Sequence, residues 1–404
     1  MPARIDDARL AISEKLSRLE IHARQLQKEI HDLAVPYHLA QALGEINRME
    51  WFLANVSELP ASINFAWITG WTSDVEGQKL RDAIELNSSH AILHFPDSPE
   101  GIQPPMMMRN PWWAKPFELF ARMLGTPGSN EADPSRILAV MAPLLFGYMF
   151  GDVGQGLVLL IAGLILQKRW PLLRILVVNG ASAMLFGFLF GSMFGREDLI
   201  PALWVHPIDD PLPVLAVPLV AGIVIILTGM TLNALESSWR GEWLRWLHVD
   251  APVVGLYLGV ISSFFLEGTI SVVIIASALT WYLIGNMLLA GGKLMPVLTS
   301  LASLIEVMMQ LVLNTVSFVR VGAFALAHAG LSLAFNIMAD SAASALLAML
   351  ILLLGNIIVI VLEGLVVSIQ TTRLILFEFF IRFLKADGRV FKPLSSPITR
   401  TISL

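Results

Sequence analysis

The sequence predicts a mainly α-helical, polytopic membrane protein. Eight transmembrane helices are expected, the last two long and tilted, preceded by a small cytoplasmic helical hairpin and α/β lobe. Three observations lead there. Of 404 residues, 55% are hydrophobic and only 15% charged, and the mean hydropathy is +0.68, which excludes an ordinary soluble enzyme. Beyond Asp133-Pro134 the chain is a succession of apolar runs separated by short breaks. Before that pair it is amphipathic, first with heptad spacing and then with strand-like alternation.

The first residues, MPARIDDARL, are polar and lead into no apolar core, so no secretory signal is expected and the N-terminus is assigned to the cytoplasm. Ile12, Leu16, Leu19, Ala23, Leu26, Ile30 and Leu33 then alternate steps of four and three, a heptad seam. After Pro36 a second stripe follows through Leu39, Leu43, Ile46, Met49, Leu53 and Val56. Two such stripes around a short break read as an antiparallel coiled-coil hairpin over residues 1–60, with arms up to roughly 45 Å long. Between Ile63 and Phe95 the pattern is strand (INFAWITGW), helix capped by Ser73 or Asp74, and strand (AILHF). That lobe and a Pro-rich linker occupy 61–135. Trp112, Trp113, Phe117 and Phe120 beside Lys115 and Arg122 suit a membrane interface; packing on the lobe is the other fate open to them.

Six apolar spans are expected within 136–295, at roughly 136–150, 153–167, 172–195, 212–232, 251–266 and 269–290. The first, second and fifth are short against the ~20 residues that a hydrocarbon core requires. Two longer runs fill 296–386, and a cytoplasmic tail takes 387–404. Lys168, Arg169, Arg174, Arg240, Arg245, Lys293, Arg382, Lys385, Arg389 and Lys392 fall on the side shared with both termini. Opposite them Arg196 stands beside Glu197, Asp198, Asp209 and Asp210. This is a positive-inside pattern.

The two long runs carry the chemistry. Arg320 and Arg373 each lie deep inside one, where a permanent charge costs roughly 2.5–3.5 kcal/mol on insertion scales. Glu306 precedes Arg320 by fourteen residues, near four turns, which on one straight helix sets both on nearly one face. Asn314, Ser317 and His328 join that file, and Glu363, Gln370, Arg373 and Glu378 punctuate the other run. Such a file usually lines an ion route. The plainer alternative is an internal Arg–carboxylate bridge that locks two helices. The glycine-rich stretches FGYMFGDVGQG and FGFLFGSMFG suit close helix packing, and Asp152 between two helices suits a cap better than a binding carboxylate.

Other function classes are excluded or weakened. With no cysteine there is no thiol chemistry, disulfide or Cys-ligated metal. A net charge of −5 argues against nucleic-acid binding. No GxxxxGK[ST] loop and no HExxH helix occurs, so neither a cofactor nor a metal site is expected.

In order, FAWITGWTSD, Asp133-Pro134, PLLFGYMFGDVGQG, SFVRVGAFALAHAG, LEG and TTRLILFEFF resemble the membrane stator subunit of V-type and archaeal-type rotary ATPases, subunit a or subunit I, over about three hundred residues. The resemblance implies a non-catalytic, ion-translocating subunit in a prokaryotic plasma (inner) membrane. Its partners would be a rotating proteolipid ring, peripheral stalk subunits and a catalytic ATPase head. It implies that Arg320 faces the ring carboxylate and that Arg373 is the second arginine on the last helix. Glu306, Asn314, Ser317, His328, Glu363, Gln370 and Glu378 would line two half-channels for protons or sodium ions. Asn314 and Gln370 stand where many relatives carry histidine, so a titrating role is not expected of them. The cytoplasmic arm is shorter than usual in that family. A self-contained secondary transporter and a ring complex lacking the usual head are the alternatives.

Overall fold

The computed structural model describes residues 5–34, 39–56, 68–74, 76–86, 91–96, 104–128, 130–196, 199–265, 268–291, 294–386 and 388–392. The chain divides into two compact units, Met1–Phe95 with Phe391–Leu404, and Pro96–Val390.

In the first unit, α1 (Ile5–Ala34) and α2 (Leu39–Val56) are the two helices that the apolar stripes predict. Their seam stays open: Ile12, Leu19, Ile46 and Leu53 are each more than 60% exposed, so the arms do not bury their stripes against each other. Helix α3 (Gln78–Leu86) begins where Asp74 accepts the Lys79 amide at 2.7 Å. The expected strands differ. Residues 91–96, the AILHF segment, form no strand, and no strand occurs among the described residues. A strand needs a neighbour to satisfy its backbone, and none pairs with this segment among the described residues; most of INFAWITGW lies outside them.

The second unit is helical. After α4 (Glu118–Leu124) come α5 (Ser135–Met149), α6 (Val153–Leu166), α7 (Arg174–Phe190), α8 (Pro211–Trp239), α9 (Trp243–Ser262) and α10 (Gly268–Leu289). The expected fifth span is longer than its apolar run, because α9 starts in the Trp243-Leu244-Arg245 segment. Two long assemblies follow. Helices α11 (Leu294–Ser317) and α12 (Val319–Asp340) meet at Phe318, while α13 (Ala345–Ile358) and α14 (Gly364–Leu374) are joined and extended by π-helical segments at Val359–Glu363 and Ile375–Phe379. Among the described residues six helices are long and apolar enough to cross a membrane, the two longest being Val297–Asp340 with 44 residues and Ala345–Arg382 with 38. Ser135–Met149 and Val153–Leu166 are shorter.

Small residues set the packing of α5, α6 and α7. A Cβ on Gly180 would lie 2.6 Å from Leu160 N and 2.7 Å from Gly156 O, so α6 and α7 touch backbone to backbone. Phe146, Phe150, Phe190, Ile226, Leu311, Phe318, Phe379 and Phe380 fill the centre.

The linker is fastened to the chain leaving the last helix. Met106 N donates to Arg389 O at 2.7 Å, and Gly388 N donates to Thr126 O at 2.9 Å. The buried carboxylate of Glu131 accepts from Gly128 N at 2.8 Å and from Lys385 N and Ala386 N at 3.3 Å each. Next to it, buried Glu236 on α8 accepts Ala132 N at 3.0 Å and lies 3.6 Å from Arg240.

Candidate functional site

The site is built where α11 gives way to α12. Helix α11 stops at Ser317, Phe318 forms a single non-helical residue, and α12 resumes at Val319. Phe318 is 1% exposed and fills the space over Gly222 of α8, so packing holds the break in place. Across this break Arg320 donates from Nη2 to Ser317 Oγ at 3.1 Å and from Nη1 to Gln370 Oε1 on α14 at 3.2 Å. Ser317 in turn donates to Glu378 Oε1 at 2.8 Å.

Two turns further along α12, His328 Nδ1 stands 2.9 Å from Glu363 Oε2. Facing a carboxylate acceptor, Nδ1 is the nitrogen that carries hydrogen. The imidazole is 3% exposed and packs on Phe150, ring centroids 4.8 Å apart. Its Nε2 has no partner among the described residues, and the residue lines a cavity of about 10 Å³ with Gly151, Ser192, Gly195 and Pro207. Three cross-links therefore tie the two long assemblies together, Ser317 to Glu378, Arg320 to Gln370 and His328 to Glu363. The numbers rise on one assembly as they fall on the other, the order of antiparallel neighbours.

The π-helical segments aim the acids. Glu363 ends the first and Glu378 lies within the second. A π turn inserts an extra residue and shifts the face that follows it. Glu378 is 5% exposed, and its Oε2 has no partner among the described residues.

Asn314 belongs to the group through a residue that sequence reasoning passed over. With its amide oriented to suit both neighbours, Asn314 accepts from Arg382 Nη2 at 2.6 Å and donates to Gln310 O at 3.2 Å. In the sequence Arg382 stands only among the cations of the side shared with both termini. Its position nine residues after Arg373 was the available signal. The Gln155–Asn356 amide pair, 3.0 Å apart between α6 and α13, was also missed.

Two predicted residues stand outside these bonds. Glu306 is exposed on α11, fourteen residues before Arg320 and on the other side of the break at Phe318. Arg373 is exposed on α14. Asp152, fully buried, is a cap: Oδ1 accepts Gln155 N at 2.8 Å and Phe194 N at 3.0 Å, and Oδ2 accepts Ser192 Oγ at 2.7 Å and Gly195 N at 2.8 Å. With four donors satisfied it serves packing. Among the described residues no group of three or more His, Asp or Glu side chains could hold a metal ion.

Apolar helices whose two longest assemblies are cross-linked by an arginine, carboxylates and an imidazole define an integral membrane protein. Residues 4–172 match the V-type ATPase 116kDa subunit family. The chain is 25% identical over 362 residues to the A-type ATP synthase subunit I of Thermococcus kodakarensis, covering 81% of this chain and 54% of that protein. The corresponding Pyrococcus horikoshii protein is 28% identical over 361 residues, covering 81% and 53%. That of Methanocaldococcus jannaschii is 25% identical over 456 residues, covering 96% and 65%. Over residues 4–172, and at lower identity over most of its length, the chain is similar to the V-type ATPase 116kDa subunit / A-type ATP synthase subunit I family. It spans about half the length of the first two curated relatives it matches.

Proposed function

We propose that this chain is the ion-translocating stator subunit of an A/V-type rotary ATPase membrane sector. The observation that carries the reading is Arg320, held by Ser317 and Gln370 between two apolar helical assemblies. A guanidinium stays charged at any accessible pH, so its cost in the membrane must be offset by use.

In this reading eight helices cross the bilayer with both termini cytoplasmic, α5 and α6 included. The assemblies of 44 and 38 residues lie tilted against a ring of small proteolipid subunits, since ~66 Å of helix exceeds a ~30 Å core. Each ring subunit presents a carboxylate. Arg320 favours its ionised form as it passes, and so promotes loss of the bound proton or sodium ion. The same charge repels cations and prevents a direct leak between the half-channels. His328, Glu363, Asn314, Ser317, Glu378 and Gln370 line those paths, with Glu306 and Arg373 at exposed positions along them. Gln370 orients the guanidinium without titrating. The membrane potential supplies about 2.3 kcal/mol per charge per 100 mV. ATP chemistry belongs to a catalytic head on other chains, reached through peripheral stalk subunits and the N-terminal arm.

The test is Arg320→Ala in the assembled complex reconstituted in vesicles. Ion-coupled ATP hydrolysis or synthesis should be abolished; undiminished coupling overturns the reading.

A further inference from the structure

We propose that the foot of α5 binds one anionic phospholipid, its phosphate held by Arg109, Lys115 and Arg136 beside the Trp113 indole and one acyl chain lying on α5. An open cavity of about 730 Å³ is bounded by these four side chains together with Asn110 and Glu118. Among the described residues the wall carries three cations and one carboxylate. That carboxylate is drawn inward: Glu118 is 7% exposed and accepts Asn110 Nδ2 at 3.2 Å, while the same amide nitrogen donates to Asp133 Oδ2 at 2.6 Å. The cavity mouth is therefore predominantly positive and suits a phosphate, which guanidinium and ammonium groups bind by charge-assisted hydrogen bonds.

A second observation favours a lipid over a soluble phosphate. Helix α5 is buried on almost every side, and its exposed positions are Arg136, Val140 and Leu144, spaced four apart on one stripe. Val140 is 56% and Leu144 46% exposed. The stripe begins at a cation lining the cavity and continues as apolar surface along a helix of the membrane unit. A headgroup in the cavity would leave its acyl chain beside Val140 and Leu144. The neighbouring Trp112 and Trp113, 75% and 40% exposed, are the side chains enriched at the headgroup level of bilayers.

The experiment uses the full chain purified in neutral detergent, with retained lipid counted by native mass spectrometry. The probes are phosphatidylglycerol, phosphatidylcholine and water-soluble glycerol phosphate. Wild type should retain one phosphatidylglycerol in preference to phosphatidylcholine. Lys115→Gln and Arg136→Gln should each weaken that binding about fivefold, the usual contribution of one cation near an anionic surface, and leave phosphatidylcholine unaffected. Lys115 is exposed, so its replacement preserves the fold and keeps the test decisive if the Arg136 variant does not accumulate. Equal retention of the two lipids, or unchanged selectivity in Lys115→Gln, overturns the proposal. Displacement of the lipid by glycerol phosphate at comparable concentration overturns it too, because the site would then belong to a soluble anion.

Discussion

Glu378 and Arg320 share a single hydroxyl. Ser317 Oγ donates to the Glu378 carboxylate at 2.8 Å and accepts the Arg320 guanidinium at 3.1 Å, so the acid orients the base through one side chain that carries no charge. Hydrogen bonds to charged groups contribute about 1.5–3 kcal/mol. Ser317→Ala should therefore reduce ATP-driven ion uptake by the assembled complex about tenfold or more, whereas Ser317→Thr, which keeps the hydroxyl, should retain most of it. Equal uptake in wild type and Ser317→Ala would show that the hydroxyl has no part in placing Arg320.

The His328–Glu363 pair should report on stability as well as transport. With side chains 3% and 10% exposed, neither partner can turn to solvent for a replacement bond. His328→Leu leaves the carboxylate without its partner, a loss on the order of 1–3 kcal/mol. Glu363→Gln keeps an acceptor for Nδ1 and should cost less. Thermal unfolding of the two variants in detergent checks the order, and a reversed order would mean that the charge on Glu363 contributes more than its bond to His328.

Asp152 should behave as a structural residue despite its acidic character. Its carboxylate satisfies three backbone amides and one hydroxyl in a fully buried turn. Asp152→Ala strands those donors and should destabilise the chain by about 3 kcal/mol or more. Asp152→Asn should be intermediate. Loss of transport in Asp152→Asn at wild-type thermal stability would instead assign the carboxylate to the ion path.

Gly180→Ala sets two effects against each other. Alanine in a helix interior is favoured over glycine by about 1 kcal/mol, whereas overpacking costs roughly 1–3 kcal/mol. The new methyl would meet Leu160 N at 2.6 Å and Gly156 O at 2.7 Å, both backbone atoms that no rotamer change can move. The second effect wins, and the variant should unfold at a lower temperature than wild type.

The apolar runs made the helices of the membrane unit legible, because length and hydropathy suffice to recognise them. The polar file was legible for a related reason: an arginine inside such a run has few explanations. The break at Phe318 was not, since it depends on a ring filling the space over Gly222, a contact distant in sequence. Nor were the π-helical segments, which alter the angular register at Glu363 and Glu378 with no glycine or proline inside them and only Gly364 directly after the first. Arg382 was missed because its place near the end of a run matched that of an ordinary interfacial cation. In the first unit the alternation of AILHF suggested a strand, but alternation encodes only a face and not a neighbour to pair with it.

Glu131 has a mechanical consequence. By gripping the amides of Lys385 and Ala386 while capping its own turn at Gly128, it pins the incoming linker and the outgoing backbone with one side chain. A load on the linker is thus delivered at the foot of the stretch that bears Glu363, Gln370 and Glu378. Entry and exit share one bolt, and the last long assembly is braced at its lower end like a spoke.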